Sequence, residues 1–178
     1  PPSLSWSAGS FDDFNGNLKH IEIKNGKLYG VDYNSGKIHI FDLSSNQMLE
    51  INADLNYPSD IAVDNSGNMY VSEQSGGQAG KLIKFDSNGN RLWSSSNFVD
   101  PATGVTVNDS IGGIDSGNIY VTTGKTGTYA GGQIKKFDPN GNLLNTFGSM
   151  PSSNGCFTPV VPNSIQYGHD GNIWVGVG

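Results

Sequence analysis

Apolar and polar residues alternate along this chain in short runs, and turns containing glycine separate the runs. One pattern occurs four times: a glycine is followed three residues later by an aromatic residue and then by valine, directly or after one residue. Alternation with a period of two between turn residues predicts short β-strands. The glycines lie 41, 50 and 54 positions apart on the sequence, at Gly26, Gly67, Gly117 and Gly171.

Two further patterns accompany each glycine turn in a fixed order. A short apolar run precedes the turn, and proline lies upstream of three of these runs, where it can open a strand without removing a needed donor. A run ending in Phe-Asp follows the first three turns, and in two copies it continues into an Asn-Gly turn, which is a strong hairpin signal. These Phe-Asp pairs begin at Phe41, Phe85 and Phe137.

The repeating unit is therefore four antiparallel strands every 40–55 residues, which is typical of a β-propeller blade. A β-sandwich is the alternative, but it does not predict one four-part pattern recurring in order. We expect an all-β, single-domain propeller with blades at about 17–56, 57–98, 99–156 and 157–178. The fourth unit ends after its second strand, and residues 1–10 resemble an outer strand that would complete the fourth blade or belong to a preceding one.

Residues 57–71 carry the closest resemblance to a known family. Pro58, Asp64, Gly67 and the Tyr70-Val71 pair match the repeat of the NHL family, although Asp60 stands where that family usually has glycine. The last unit also resembles the streptogramin-lyase and SMP-30/gluconolactonase propellers. The resemblance implies a ring of six blades, so we expect this chain to be a segment of a longer protein or to associate with other chains.

Composition and charge exclude several classes of function. Apolar residues make up 35% and charged residues 15%, which reflects the many turn residues, and the net charge is −6. The chain has no basic run, so we expect no nucleic-acid partner. It has no apolar stretch long enough to span a membrane. The single Cys156 excludes an intrachain disulfide.

A sequon at Asn108 in a polar insertion predicts an exposed glycosylation site. Together with the scarcity of lysine and arginine, it favours an extracellular or cell-surface location.

Equivalent positions of successive blades converge on the central channel, which makes them candidate ligand-binding residues. His20 and Asp60 begin innermost strands, and Asp32 and Glu73 end second strands. The gluconolactonase resemblance implies a divalent ion at such carboxylates, so Asp32, Asp60 and Glu73 are candidate ligands for Ca²⁺ or Mg²⁺. The alternative, which we favour, is that they bond to backbone amides and hold the blades together, with no cofactor.

Three functions remain open on the sequence alone. The first is a binding or scaffold module for a protein or carbohydrate ligand, acting through blade-edge loops where Tyr129 and Phe157 are candidate contacts. The second is a metal-assisted hydrolase or lyase, and the third is a self-assembling subunit of a surface filament or layer. No catalytic set is recognisable, so binding is the favoured interpretation and enzymatic activity is undecided.

Overall fold

The computed structural model of the chain describes residues 7–8, 17–75, 79–95, 98, 100–110, 112–124, 132–148 and 162–177. The regular structure within these ranges is fifteen β-strands. They are β1 (Ser7–Ala8), β2 (Leu18–Lys24), β3 (Lys27–Asp32), β4 (Lys37–Asp42), β5 (Gln47–Asn52), β6 (Pro58–Val63), β7 (Met69–Glu73), β8 (Lys81–Phe85), β9 (Arg91–Ser94), β10 (Ala102–Val107), β11 (Ile119–Thr123), β12 (Gln133–Phe137), β13 (Leu143–Phe147), β14 (Pro162–Tyr167) and β15 (Ile173–Val177).

The strands form four antiparallel sheets that follow one another along the chain. The orders are β1-β5-β4-β3-β2, then β6-β7-β8-β9, then β10-β11-β12-β13, and finally β14-β15. Strands β2, β6, β10 and β14 are the innermost, and each packs on the next. The predicted architecture of four-stranded antiparallel blades is confirmed.

The tight turns follow directly from local sequence. Asp86 accepts hydrogen bonds from the backbone N–H groups of Asn88 and Asn90 through Oδ1, and Gly89 between them has φ of +81°. A positive φ is open to glycine at little cost, and an Asp side chain readily replaces a backbone acceptor in such a turn. The equivalent turn at Asp138 repeats this arrangement with Gly141 at φ +85°.

The core lies between the sheets, because neighbouring sheets bury the faces that they turn toward each other. The junction of the first and second sheets contains Ile40, Leu49, Ile61 and Phe85, all buried. The junction of the second and third contains Tyr70, Val105, Val121 and Phe137, among others. A four-stranded sheet has no interior of its own, so stacking supplies its core.

One placement differs from the sequence-based expectation. Ser7–Ala8 pair with β5 at the outer edge of the first sheet, instead of with the fourth sheet or a preceding blade. His39 is buried on the face of β4 opposite Ile38 and Ile40. No helix in the described ranges is long and apolar enough to cross a membrane.

Candidate binding site at the mouth of the channel

Asp60 joins three sheets at the channel. It is buried at the start of β6, and its Oδ2 accepts a hydrogen bond of 2.9 Å from the backbone N–H of Val105 in the next sheet. Oδ1 accepts from the Ile61 N–H at 2.8 Å and lies 3.1 Å from Nδ1 of His20 in the preceding sheet. Asp60 therefore has the structural role that the sequence favoured, which is to fix one blade to the next.

Glu22 and Thr106 repeat this connection at the other two junctions. Oε2 of Glu22 accepts from the Val63 N–H at 3.0 Å, and Oγ1 of Thr106 accepts from the Tyr167 N–H at 3.0 Å. In each case an inner-strand side chain bonds to the inner strand of the following sheet. Burial raises the pKa of Glu22 to about 7, against the opposing effects of the Val63 hydrogen bond and of Lys24.

His20 is the partner of Asp60 from the first sheet. Its side chain is partly exposed, whereas the Asp60 carboxylate beneath it is buried. The hydrogen bond to Asp60 raises the pKa of His20, outweighing the lowering caused by burial. The buried Asp60 carboxylate thus favours the protonated form of His20 and holds its ring in place.

Asp32 and Glu73 are occupied by their own loops. Burial alone would raise the pKa of Asp32, but hydrogen bonds from the Ser35 hydroxyl and the Asn34 and Ser35 amides lower it overall. Oε1 of Glu73 accepts from the Ser75 hydroxyl at 2.9 Å. Within the described parts of the chain, no three His, Cys, Asp or Glu side chains form a group that could hold a metal ion. The structure therefore does not gather the candidate metal ligands into one site.

An aromatic pair lies at one end of the channel, which we call the mouth. At this end of the channel are the loops that join the second strand of a sheet to its third strand. The rings of Tyr33 and Tyr57 have centroids 5.0 Å apart, and Nζ of Lys19 is 4.9 Å from the Tyr33 centroid. The Gln74 N–H donates to the Tyr57 carbonyl at 3.1 Å, which ties two loops together. The Tyr57 side chain remains 42% exposed.

A concave site of about 310 Å³ opens beside this pair. Its volume is at the small end of the range for ligand pockets. Side chains with donors and acceptors dominate the wall, and they come from all four sheets. The lining residues are Lys19, His20, Tyr33, Ser59, Gln74, Thr103 and Asn163.

Tyr57 adopts a strained backbone conformation, with φ of +54°. A bulky residue other than glycine, asparagine or aspartate seldom occupies this left-handed region, and such strain concentrates at functional sites. The hydrogen bond from Gln74 and the contact with Tyr33 hold Tyr57 in that conformation.

The channel itself forms a second cavity of about 580 Å³ below the mouth. Inner strands of all four sheets line it, and Glu22, Asp60, Thr106 and Ser164 supply its polar groups. Three of these, Asp60, Glu22 and Thr106, already accept hydrogen bonds from neighbouring strands. At the mouth, Ser59 and Thr103 likewise donate to backbone carbonyls, and it is the aromatic pair that makes the mouth the stronger candidate site.

Three further residues that the sequence analysis singled out are Asn108, Tyr129 and Phe157. Asn108 is completely buried. Its Oδ1 accepts a hydrogen bond from the Ser110 N–H, and its Nδ2 donates to the Ile114 carbonyl at 3.4 Å. The expectation that Asn108 is exposed was wrong, because its side chain closes the insertion internally, and this speaks against glycosylation of the folded chain. Tyr129 and Phe157 lie outside the described residues.

Sequence reasoning missed Glu22, Tyr33 and Tyr57. Glu22 is a charged residue between Ile21 and Ile23 on an innermost strand, and that signal was available in the repeat alignment. Tyr33 and Tyr57 are separated in the sequence by β4 and β5, so only the fold brings their rings together.

Comparison with known proteins gives the class of protein and no more. No protein-family model matches the chain, and no curated protein matches its sequence. The WD40 repeats of RRP9 match with a TM-score of 0.62 at 9% identity, over 92% of this chain and 44% of that one. A chain of the nidogen/laminin complex matches with 0.57 at 15%, over 85% and 52%.

The luciferin-regenerating enzyme matches with a TM-score of 0.55 at 15% identity, over 86% of this chain and 50% of that one. These likenesses establish the fold: the chain is a β-propeller protein. It spans about half the length of these structures. Membership of the NHL family stays a prediction.

Proposed function

We propose that this propeller is a binding module that takes a neutral carbohydrate at the mouth of its channel. The observation that carries the proposal is the pair of half-buried Tyr33 and exposed Tyr57 beside a small concave site lined with polar side chains. A propeller fold is consistent with a binding or scaffold role, and the sheets supply a rigid frame for the loops at the mouth.

The chemistry of the mouth supports a polyhydroxylated ligand. Gln74 and Asn163 bring amide groups that can both donate and accept hydrogen bonds, as vicinal hydroxyl groups require. The tyrosine rings offer apolar faces with a polar tip. The volume suits one small ring better than a broad protein surface, which favours carbohydrate over protein among the predicted ligands.

The strained backbone at Tyr57 supports the same conclusion. Holding a tyrosine at a positive φ costs of the order of 1 kcal/mol relative to a residue that tolerates this region. Asparagine would fill the position more cheaply, so a functional requirement for the ring explains its presence. Tyr57→Asn therefore removes the ring while retaining the backbone conformation.

We test the proposal with a panel of neutral oligosaccharides on the intact chain, using isothermal titration calorimetry. We expect at least one of them to bind, and Tyr57→Asn and Tyr33→Leu each to weaken binding about tenfold or more. Leu92→Ala, an exposed change on an outer strand, is the matched control and should leave binding unchanged. Absence of binding across the panel, or equal affinity in Tyr57→Asn, would refute the proposal.

The location of the module is also a proposal. Low charge and a surface rich in asparagine, serine and glycine support an extracellular or cell-surface setting. Fractionation of the native source, with antibody detection in the medium and the cell envelope, tests it. Recovery from the cytoplasm alone would contradict it.

A further inference from the structure

The turn between β2 and β3 carries an Asn-Gly pair in an open position. Lys24 pairs with Lys27 across the two strands, so Asn25 and Gly26 are the whole turn. Their φ angles are +51° and +72°, in the left-handed region that a type I′ hairpin turn requires. Both residues are exposed, and a Cβ added at Gly26 would meet no atom within 4 Å. Water therefore has free access to this turn.

The backbone nitrogen of Gly26 is uncommitted. Among the residues that the structure describes, no acceptor lies within hydrogen-bond distance of the Gly26 N–H. The Gly26 carbonyl accepts a hydrogen bond from the Leu43 N–H at 3.0 Å, and the Asn25 side-chain nitrogen donates to the Asn65 carbonyl at 3.4 Å, which is a long and weak contact. The turn is thus anchored at its carbonyl and only loosely at its side chain.

A second Asn-Gly pair, at Asn88 and Gly89, is held much more tightly. The Gly89 N–H donates to the Asp86 carbonyl at 3.0 Å, and the Asn88 N–H donates to Oδ1 of Asp86 at 2.9 Å. A Cβ added at Gly89 would meet the Ile51 side chain at 2.9 Å. Hydrogen bonds and packing together fix the backbone between these two residues.

A third pair, at Asn140 and Gly141, repeats this arrangement. The Gly141 N–H donates to the Asp138 carbonyl at 3.0 Å, and the Asn140 N–H donates to Oδ1 of Asp138 at 2.9 Å. A Cβ added at Gly141 would meet the Trp93 ring at 2.9 Å. Asn88 and Asn140 are as exposed to solvent as Asn25, so access of water does not distinguish the three pairs.

We propose that Asn25 is a site of spontaneous deamidation that reacts faster than Asn88 or Asn140, and that its isoaspartate product loosens the β2–β3 hairpin. The Gly26 nitrogen loses its proton and bonds to Cγ of Asn25, and ammonia leaves as the bond from Cγ to Nδ2 breaks. Water then opens the five-membered succinimide ring. Cleavage of the ring bond between nitrogen and Cγ gives aspartate, and cleavage of the bond between nitrogen and the backbone carbonyl carbon gives isoaspartate.

The structural setting of each pair decides its rate, because the reacting residue types are the same. The glycine nitrogen reaches Cγ only after the backbone between the two residues rotates. At Asn88 and Asn140 this rotation breaks hydrogen bonds to the preceding aspartate, one of them to a carboxylate, whereas at Asn25 the attacking nitrogen has none to break. Hydrogen bonds of this kind correspond to about tenfold or more in rate.

The isoaspartate product adds one methylene group to the main chain of the turn. A two-residue hairpin turn has a fixed length and twist, so the longer turn no longer matches the pairing of Lys24 with Lys27. The hairpin strand β2 also carries His20 and Glu22, which contact the second sheet. Modification of Asn25 therefore acts on the strand that joins the first two sheets.

The experiment incubates the intact 178-residue chain at mildly alkaline pH, where the amide proton is lost more readily, and maps deamidation by mass spectrometry of chymotryptic peptides. We expect Asn25 to react about tenfold or more faster than Asn88 and Asn140. The same chain in concentrated urea is the control, because unfolding removes the hydrogen bonds and the three rates should converge. Equal rates in the folded chain would overturn the proposal, and so would the same order of rates in urea, since sequence would then set the difference.

Asp86→Ala tests the cause of the difference in rate. It removes the carboxylate that accepts from the N–H groups of Asn88 and Asn90, so Asn88 should deamidate faster while Asn140 keeps its rate. The circular dichroism spectrum confirms that the variant is folded. An unchanged rate at Asn88 in the folded variant would overturn the assignment of the protection to these hydrogen bonds.

Hydrogen exchange tests the effect of the product. The isoaspartyl chain, separated by ion exchange and identified with isoaspartyl methyltransferase, should exchange the amides of β2 and β3 faster than the unmodified chain. Unchanged exchange would overturn the loosening of the hairpin. Asn15 and Asn154 also precede glycine but lie outside the described residues, and their peptides are counted separately. Carbohydrate binding at the mouth does not enter these readouts, so the two proposals fail independently.

Discussion

Replacing Glu22 by glutamine should make the chain less sensitive to pH, because Glu22 is the buried carboxyl that joins the first two sheets. Its pKa is about 7 in the folded protein, against an ordinary value of 4.5. Glutamine keeps an oxygen that can accept the Val63 hydrogen bond but cannot ionise. Asp60 and Asp109 add to the effect of burial, and Lys24 opposes it.

The sign and size follow from proton linkage. Below about pH 4.5 Glu22 is protonated in both states. Between about 4.5 and 7 the unfolded chain releases the proton while the folded chain keeps it, so stability falls as pH rises. A difference of about 2.5 pKa units corresponds to about 3 kcal/mol as an upper bound, and residual solvent at the site reduces this to about 1–3 kcal/mol.

The assay is urea denaturation of the wild type and Glu22→Gln at pH 5, 6, 7 and 8. We expect similar stabilities near pH 5 and a variant more stable by about 1–3 kcal/mol at pH 8. Glu50→Gln, an exposed carboxyl on the outermost full strand of the same sheet, is the control and should show no such divergence. Parallel pH curves for the wild type and Glu22→Gln would refute the reasoning.

Three further predictions concern two substitutions, Asp60→Asn and Gly89→Ala. The two carboxylate oxygens of Asp60 accept hydrogen bonds from the Ile61 and Val105 N–H groups, and Asp60→Asn replaces one of these oxygens with an amide nitrogen that cannot accept. The change should lower the free energy of unfolding by about 2–3 kcal/mol. A loss below about 0.5 kcal/mol on chemical denaturation would contradict the role of Asp60. Because Asp60 raises the pKa of His20, that pair stabilises the fold most below about pH 6.5, and NMR titration of His20 in the wild type and in Asp60→Asn should show a lower pKa in the variant. Gly89→Ala should lower thermal stability by about 1 kcal/mol or more, because φ is +81° and a new Cβ would meet the Ile51 side chain at 2.9 Å; an unchanged midpoint in calorimetry would show that the turn relaxes.

The repeat in the sequence predicts most of the fold. The glycine turns, the Phe-Asp strands and the Asn-Gly hairpins each encode local geometry, so the order of the strands within a blade could be predicted, whereas the pairing of Ser7–Ala8 with β5 could not. The structural roles of Asp60 and Asp32 could also be anticipated, because carboxylates near strand ends commonly bond to nearby backbone amides.

The candidate site was harder to predict from the sequence than the fold was. Tyr33 and Tyr57 belong to loops of different sheets, and their 5.0 Å approach depends on how the sheets stack. Asn108 carried a motif of exposed loops, yet the fold of its insertion buried the side chain. Local pattern does not specify which loop side chains meet across sheets.

The sequence by itself determined the strands, the turns and the class of fold, because these depend on interactions between residues close together in the chain. The tertiary structure alone decided two matters: the raised pKa of Glu22 and the mouth at Tyr33 and Tyr57. Each depends on burial between sheets, which is a property of how the sheets stack and not of any one repeat.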